Sequence, residues 1–310
     1  KDVLRAAFHR PIQASGAPSH HDIGNVLGTA YGKFVLAGYQ GVVDSDPWRQ
    51  LTKERPVTDL KEVTGVRLIG DSRFKKLPTS GTIENFDAFD ETRKIAAEMW
   101  ARATSLPLQY IINDDLGILG EMGTILGDGA GQAQVEDFYT VLQAAIAASY
   151  FSQSTPAAGN ALSSASIKTA RTAFKRQTLA MRDGSTIPIT VAPSFLLVPP
   201  ELDDAAMELV NGTAVIIAGS TDKVQTNFNV NAGRYRVLSS AYLTSVSTWA
   251  MGGTRPGFYP METATLTGVT APVIQSTDAD FETLGLKFRG YFAWGHKAAE
   301  KTTLHVMKTS

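Results

Sequence analysis

The chain has 310 residues, 43% of them hydrophobic and 19% charged, which is enough for a substantial core and two subdomains. Its 29 Lys and Arg against 30 Asp and Glu give a net charge of -1, without the basic excess of a dedicated nucleic-acid binder. There is no cysteine, so disulfides, thiolate nucleophiles and cysteine-ligated metals are excluded. The longest apolar runs, at 142–148 and 213–218, fall short of the roughly 18 residues of a bilayer span, and residues 1–11 lack the apolar run of a signal peptide.

Residues 1–58 carry scattered glycines (Gly16, Gly24, Gly28, Gly32, Gly38, Gly41) and little periodicity. They read as an N-terminal arm, extended with one short helix, that buries little by itself. Residues 59–93 read as a projecting β-hairpin: Val63, Val66, Leu68 and Ile69 favour strand, and residues 77–81 (LPTSG) supply turn chemistry. Its charges are segregated, with Lys61, Arg67, Arg73, Lys75 and Lys76 on the first half and Glu84, Asp87, Asp90 and Glu91 on the second. Two readings stand open: the opposite charges pair across the hairpin's own strands, or one patch meets an adjacent subunit.

Residues 94–112 read as a strand, after which Asn113, Asp114 and Asp115 supply a capping side chain and first-turn acids. Leu116, Leu119, Met122 and Leu126 follow at helical spacing, as do Gly117, Gly120, Gly123 and Gly127. Glycine costs about 1 kcal/mol per helical site, so this face predicts close packing against another backbone, with Gly120 and Gly123 at its centre. Val135, Phe138, Leu142 and Ile146 extend the pattern to residue 149, and the glycines at 127–131 fit a kink or break. A third helix is predicted over 163–177, with Ile167, Ala170 and Phe174 on one face. A fourth is predicted over 201–211, begun by Pro199 and Pro200 and stopped at Asn211 and Gly212. The remainder reads as mostly β. Strands are predicted at 213–218, 235–238 and 284–294, the last with Leu284, Leu286, Phe288, Phe292 and Trp294 on one parity.

Motifs for chemistry are weak. Residues 28–34 (GTAYGKF) miss a phosphate-binding loop by one residue between the glycines, and Phe34 stands where Ser or Thr is needed. Asp278, Asp280 and Glu282 share a strand face but lack the glycine turn of a calcium loop, so a solvated face is the simpler reading. The five histidines show no zinc-helix spacing, and no Gly-x-Ser-x-Gly occurs. A metal- or phosphate-dependent hydrolase therefore has no specific motif behind it.

Several segments carry a resemblance in their order: residues 110–117 (YIINDDLG), 193–202 (PSFLLVPPEL) with Ala205, Ala206 and Leu209 after it, and 229–234 (NVNAGR). Residues 262–268 (ETATLTG), 271–273 (APV) and the aromatic, basic stretch 286–297 complete the set. Together they resemble the major head proteins of Mu-like and related tailed bacteriophages. The resemblance implies an α+β chain with the Hong Kong 97 type capsid fold. It places an N-terminal arm at 1–58, an extended loop at 59–93, and a peripheral-domain strand and spine helix at 94–150. It puts a mainly axial domain at 151–270 and a β segment at 271–310 that returns to the peripheral domain. It implies a structural head protein without catalytic residues, cofactor or metal, which assembles with itself into hexamers and pentamers of an icosahedral shell around double-stranded DNA. Portal, scaffold, maturation protease and decoration proteins are the expected partners, with no membrane and no sequence-specific DNA contact. The virion is the expected location, and the host cytoplasm that of assembly. An encapsulin-like compartment is the alternative within the same fold.

Overall fold

The structure, a computed structural model, describes residues 20–70, 74, 76–77, 79, 81, 88–107, 116–180, 186–189, 191–212, 214–218, 224–278 and 285–309. Helix α1 (His20–Ser45) leads through a 3-10 turn (Pro47–Leu51) into β1 (Thr52–Val57). Strands β2 (Val63–Gly70), β3 (Ala88–Ile95) and β4 (Glu98–Pro107) precede the long helix α2 (Leu116–Ala147). Strand β5 (Ser152–Gln153), helix α3 (Ser164–Lys175), β6 (Thr178–Ala180), β7 (Thr186–Pro188), β8 (Phe195–Val198) and helix α4 (Asp203–Asn211) follow. The rest is β: β9 (Ala214–Ala218), β10 (Val224–Phe228), β11 (Arg236–Ser239), β12 (Trp249–Gly252), β13 (Met261–Leu266), β14 (Val273–Asp278), β15 (Gly285–Ala298) and β16 (Leu304–Met307).

The first large sheet is organised around β15. Antiparallel β4 lies along one side of it, from Pro107 opposite Gly285 to Glu98 opposite Trp294. On the other side β14 pairs with residues 286–291 and β13 with residues 294–298. Strand β1 adds parallel to β13 at the edge. The expected face of β15 is buried where it is described, at Phe288, Phe292 and Trp294, while on the other parity Arg289 is exposed, Lys287 and Tyr291 are half-buried and Ala293 is buried. This aromatic face meets the helices. Tyr31 of α1 stacks on Phe288 at 4.3 Å, and Tyr39 meets Phe292 edge-on at 5.5 Å.

The second large sheet runs β11-β8-β12-β16-β5. It is buried on both faces, which is why β8 reads as an unbroken apolar run (FLLV) rather than an alternation. Leu197, Ala250, Leu304 and Val306 join Phe138, Tyr139 and Leu142 of α2 in one core. Leu196, Val198, Met251 and Met307 join Ile167 and Ala170 of α3 and Ala206 and Val210 of α4 in another. The predicted α3 and α4 are thus present, α3 with its expected buried face of Ile167, Ala170 and Phe174. Helix α3 begins with a reciprocal cap: Ser166 N–H donates to Ser163 Oγ at 3.1 Å, and Ser163 N–H donates to Ser166 Oγ at 2.9 Å.

Two expectations differ from the structure. Residues 20–57 are not an extended arm with one short helix. They form a 26-residue helix and an edge strand, and Tyr31, Val35, Tyr39 and Val43 are buried. Nor do the glycines at 127–131 break α2, which runs unbroken for 32 residues with Gly127 and Gly131 packed against α1.

Candidate assembly surfaces

The hairpin expected at 59–93 is present as β2 and β3, which pair with each other in a two-stranded sheet outside both large sheets. Its root is apolar: Val63 and Ile95 are register partners, and with Val57, Ala97 and Ala264 they form a small separate core. The next pair on that face is Gly65 and Arg93, and the one beyond is Arg67 and Glu91. Lys94 Nζ lies 3.0 Å from Glu62 Oε2, an exposed pair within the hairpin itself. Leu68 stands opposite Asp90. Lys76 is exposed, as are Phe74 and Leu77. Arg73, Lys75, Glu84 and Asp87 lie outside the described residues, as do Asn113, Asp114 and Asp115 before α2.

The glycine face of α2 does meet another backbone, but its centre is shifted from the expected positions. A Cβ on Gly127 would lie 2.0 Å from the Val35 carbonyl oxygen, and one on Gly38 of α1 would lie 2.4 Å from that of Thr124. Gly131 faces Val42 and the Tyr39 carbonyl. Gly123 is close to Phe34 Cβ at 2.9 Å, whereas Gly120 has only ordinary contact with the Phe34 ring at 3.5 Å. Glycines on both helices therefore set the approach, and the reciprocal Gly38 belonged to the segment read as an arm.

No feature of the described residues makes a reaction centre. Residues 28–34, the near miss for a phosphate loop, lie inside α1, where a helical backbone cannot wrap a phosphate. Among the described residues no group of three or more His, Asp or Glu could hold a metal ion, and no helix is long and apolar enough to cross a membrane. Asp280 and Glu282 lie outside the described residues. Among the described residues a His–Asp approach joins His296 Nε2 to Asp137 Oδ2 at 4.0 Å, with the imidazole closed off completely from solvent. Burial pushes His296 down to about 4, against a smaller opposing effect of the Gln134 backbone, and raises Asp137. The sealed imidazole is out of reach of a substrate. Asp46 is likewise structural: it accepts from Trp48 N–H at 3.0 Å, Tyr139 OH at 2.8 Å and Ser240 Oγ at 2.5 Å, tying the end of α1 to α2.

One open feature is large and apolar. A cleft of about 750 Å³ lies between α2 and the first sheet, lined by Trp100, Met122, Ile125, Leu126 and Ile274 among others. Trp100 stacks flat on Trp294 at 4.8 Å, and Ile125 is exposed on the same cleft. Gly290 of β15 lies on the cleft floor, where a Cβ would press on Ile274 Cδ1 at 3.0 Å.

A long helix laid across an aromatic-faced sheet, a second sheet buried on both faces and a hairpin that joins neither sheet fit a shell-building fold of the Hong Kong 97 type. The phage capsid protein family matches residues 90–305, well over half of the chain, and the chain belongs to that family. No curated protein matches it. Among solved structures, the capsid of a native GTA particle is similar at a TM-score of 0.54 and 10% identity, covering 84% of this chain and 89% of that one. The capsid of Ralstonia phage GP4 is similar at 0.52 and 12%, covering 84% and 87%. A virus-like particle from Pyrococcus furiosus is similar at 0.50 and 9%, covering 90% and 99%. At these identities the likenesses show the shared fold, and the family match identifies the chain as a structural phage capsid protein that assembles with itself, a component of the virion.

Proposed function

We propose that the hairpin β2–β3 is the extended loop of this capsid subunit and that its charged outer part meets a neighbouring subunit. The first sheet with α1 and α2 acts as the peripheral domain with α2 as its spine, and the second sheet with α3 and α4 as the axial domain. Subunits gather as hexamers and pentamers of an icosahedral shell around double-stranded DNA, assembled in the host cytoplasm with scaffold, portal and maturation protease, and with decoration protein added outside. A net charge of -1 suits a container that DNA enters and leaves without strong adhesion.

The observation that carries the loop assignment is topological: β2 and β3 join neither large sheet, so the hairpin projects from its root. Lys94 at the base of the hairpin pairs with Glu62 within it, and Arg73, Lys75 and Lys76, nearer the turn in sequence, are the proposed patch for a neighbour. Exposed pairs contribute only about 0–1 kcal/mol each, so the test changes three together. Reversing Arg73, Lys75 and Lys76 to Glu is expected to leave subunit circular dichroism unchanged and to reduce shell yield in sedimentation. Raising salt should weaken wild-type assembly in the same direction. Wild-type shell yield from the triple reversal, with unchanged salt dependence, would show that these charges serve solubility alone.

A further inference from the structure

The root of the hairpin carries a second set of contacts. Arg93 on β3 sends Nη2 to within 2.8 Å of Glu300 Oε1, and the two side chains are 18% and 5% exposed. Glu300 is held in place by its surroundings. Its N–H donates to the Tyr259 carbonyl at 3.2 Å, its neighbour Ala299 donates to Pro260 at 2.7 Å, and Thr303 Oγ1 donates to the Glu300 carbonyl at 2.7 Å. The carboxylate therefore projects from a turn fastened between β15, β16 and the approach to β13.

Directly across the hairpin from Arg93 stands Gly65. A Cβ there would lie 2.3 Å from Arg55 Nη1, so the Arg55 guanidinium rests on the bare backbone of β2 while Nη1 reaches Glu262 Oε1 at 3.2 Å. Both strands of the hairpin are thus held at the same register step, β3 to the turn after β15 and β2 to the β1–β13 edge. Arg55, Gly65, Arg93, Glu262 and Glu300 surround a cleft of about 400 Å³ at this root.

We propose that Arg93 and Glu300, with Arg55 seated on Gly65, are positioning residues that fix the angle at which the hairpin leaves the body. Leverage makes the angle matter. Five register steps separate Gly65 from Gly70, the outermost described position of β2, and at about 3.4 Å per step they span roughly 17 Å. A rotation of about ten degrees at the root then moves that position by about 3 Å, the length of a hydrogen bond. The small apolar core at the root lets the hairpin form, and the ionic clamp beside it sets its direction. The clamp refines the loop reading above and rests on it for its consequence in assembly, but the angle itself is measurable in single subunits.

The absence of native cysteine makes labelling clean. Spin labels on Lys76→Cys and Lys168→Cys, both exposed positions, report the hairpin-to-body distance in dilute, unassembled subunits by pulsed dipolar spectroscopy. A single narrow distribution is expected for the parent. Arg93→Met should broaden or shift it and, in unlabelled protein, lower shell yield at least tenfold. Arg93→Lys should restore much of both, and Gly65→Ala, which displaces Arg55 and its contact to Glu262 while leaving Arg93 and Glu300 in place, should shift the distribution by itself. If Arg93→Met does not fold, Arg93→Lys and Gly65→Ala carry the test. Unchanged distributions in the folded variants overturn the proposal, as does a broadened distribution with parental shell yield. A parent that forms no shells strikes the loop reading instead and leaves the distance measurement to judge the clamp.

Discussion

Between β15 and α2, His296 lies against Trp48 and Phe138, with ring centroids at 5.7 and 5.4 Å, and shares a hydrogen bond with Thr263 Oγ1 at 3.0 Å. Burial lowers its pKa from 6.5 to about 4, so the folded chain holds it neutral while the unfolded chain takes up a proton first. The proton therefore favours unfolding between these values: stability is full above pH 6.5, falls as pH falls toward 4, and loses nothing further from this group below that. The shift corresponds to roughly 2–4 kcal/mol. Asp137 works against it, since burial raises its pKa and the folded state gains relative stability as that carboxylate is protonated. His305, lowered by its own burial, adds to the loss. The unfolding free energy of unassembled subunits, measured in urea at pH 7 and 4.5, should fall with pH in the wild type and fall clearly less in His296→Gln. An equal slope in the two proteins would contradict the burial argument.

At the scale of elements, the α1–α2 contact separates glycines that packing requires from those it does not. Gly127→Ala drives a Cβ into the Val35 backbone, and the expected cost of overpacking, about 1–3 kcal/mol, outweighs the roughly 1 kcal/mol gained in helix propensity. Gly129→Ala meets nothing within 4 Å and should stabilise by up to about 1 kcal/mol. Gly120→Ala, with its Cβ at 3.5 Å from the Phe34 ring, should resemble Gly129 rather than Gly127. Urea midpoints of the three variants check this order, and a destabilised Gly129→Ala with a neutral Gly127→Ala would reverse the packing account. The same contact shows what was readable beforehand. Helix α2, the aromatic face of β15 and the stripe of α3 follow from local periodicity, and α4 follows from its proline entry and Asn-Gly stop. Helix α1 carried a signal too, in Tyr31, Val35, Tyr39 and Val43 at every fourth residue, but the glycines that give it close approach to α2 made it read as an arm. The joining of β11 to β8, and of β16 to β5, is non-local and left no mark in the sequence. The hairpin charges were legible as a pattern, whereas the Arg93–Glu300 clamp, 207 residues apart, was not.

For the whole molecule, burial sorts the four tryptophans into two classes. Trp48, Trp249 and Trp294 are each 1% exposed, sealed in the cores that unite the two sheets with the helices, while Trp100 is 39% exposed beside the apolar cleft. Exposed Ile125 extends that apolar surface, and contiguous patches of this kind mark places where another molecule sits. In a protein built to pack against copies of itself, a neighbouring subunit is the expected cover. Acrylamide quenching separates the cases because only one indole is accessible in the free subunit. A minor, readily quenched fraction of the emission should be present in unassembled protein, vanish in Trp100→Phe, and be protected in shells, with a blue shift as Trp100 leaves water. Ile125→Lys should leave the subunit folded, since that side chain is 62% exposed, and lower shell yield by placing a charge in the covered surface. Trp100 remaining fully quenchable in assembled shells, with Ile125→Lys assembling normally, would mean that the cleft stays open on the finished particle and that the subunits meet elsewhere.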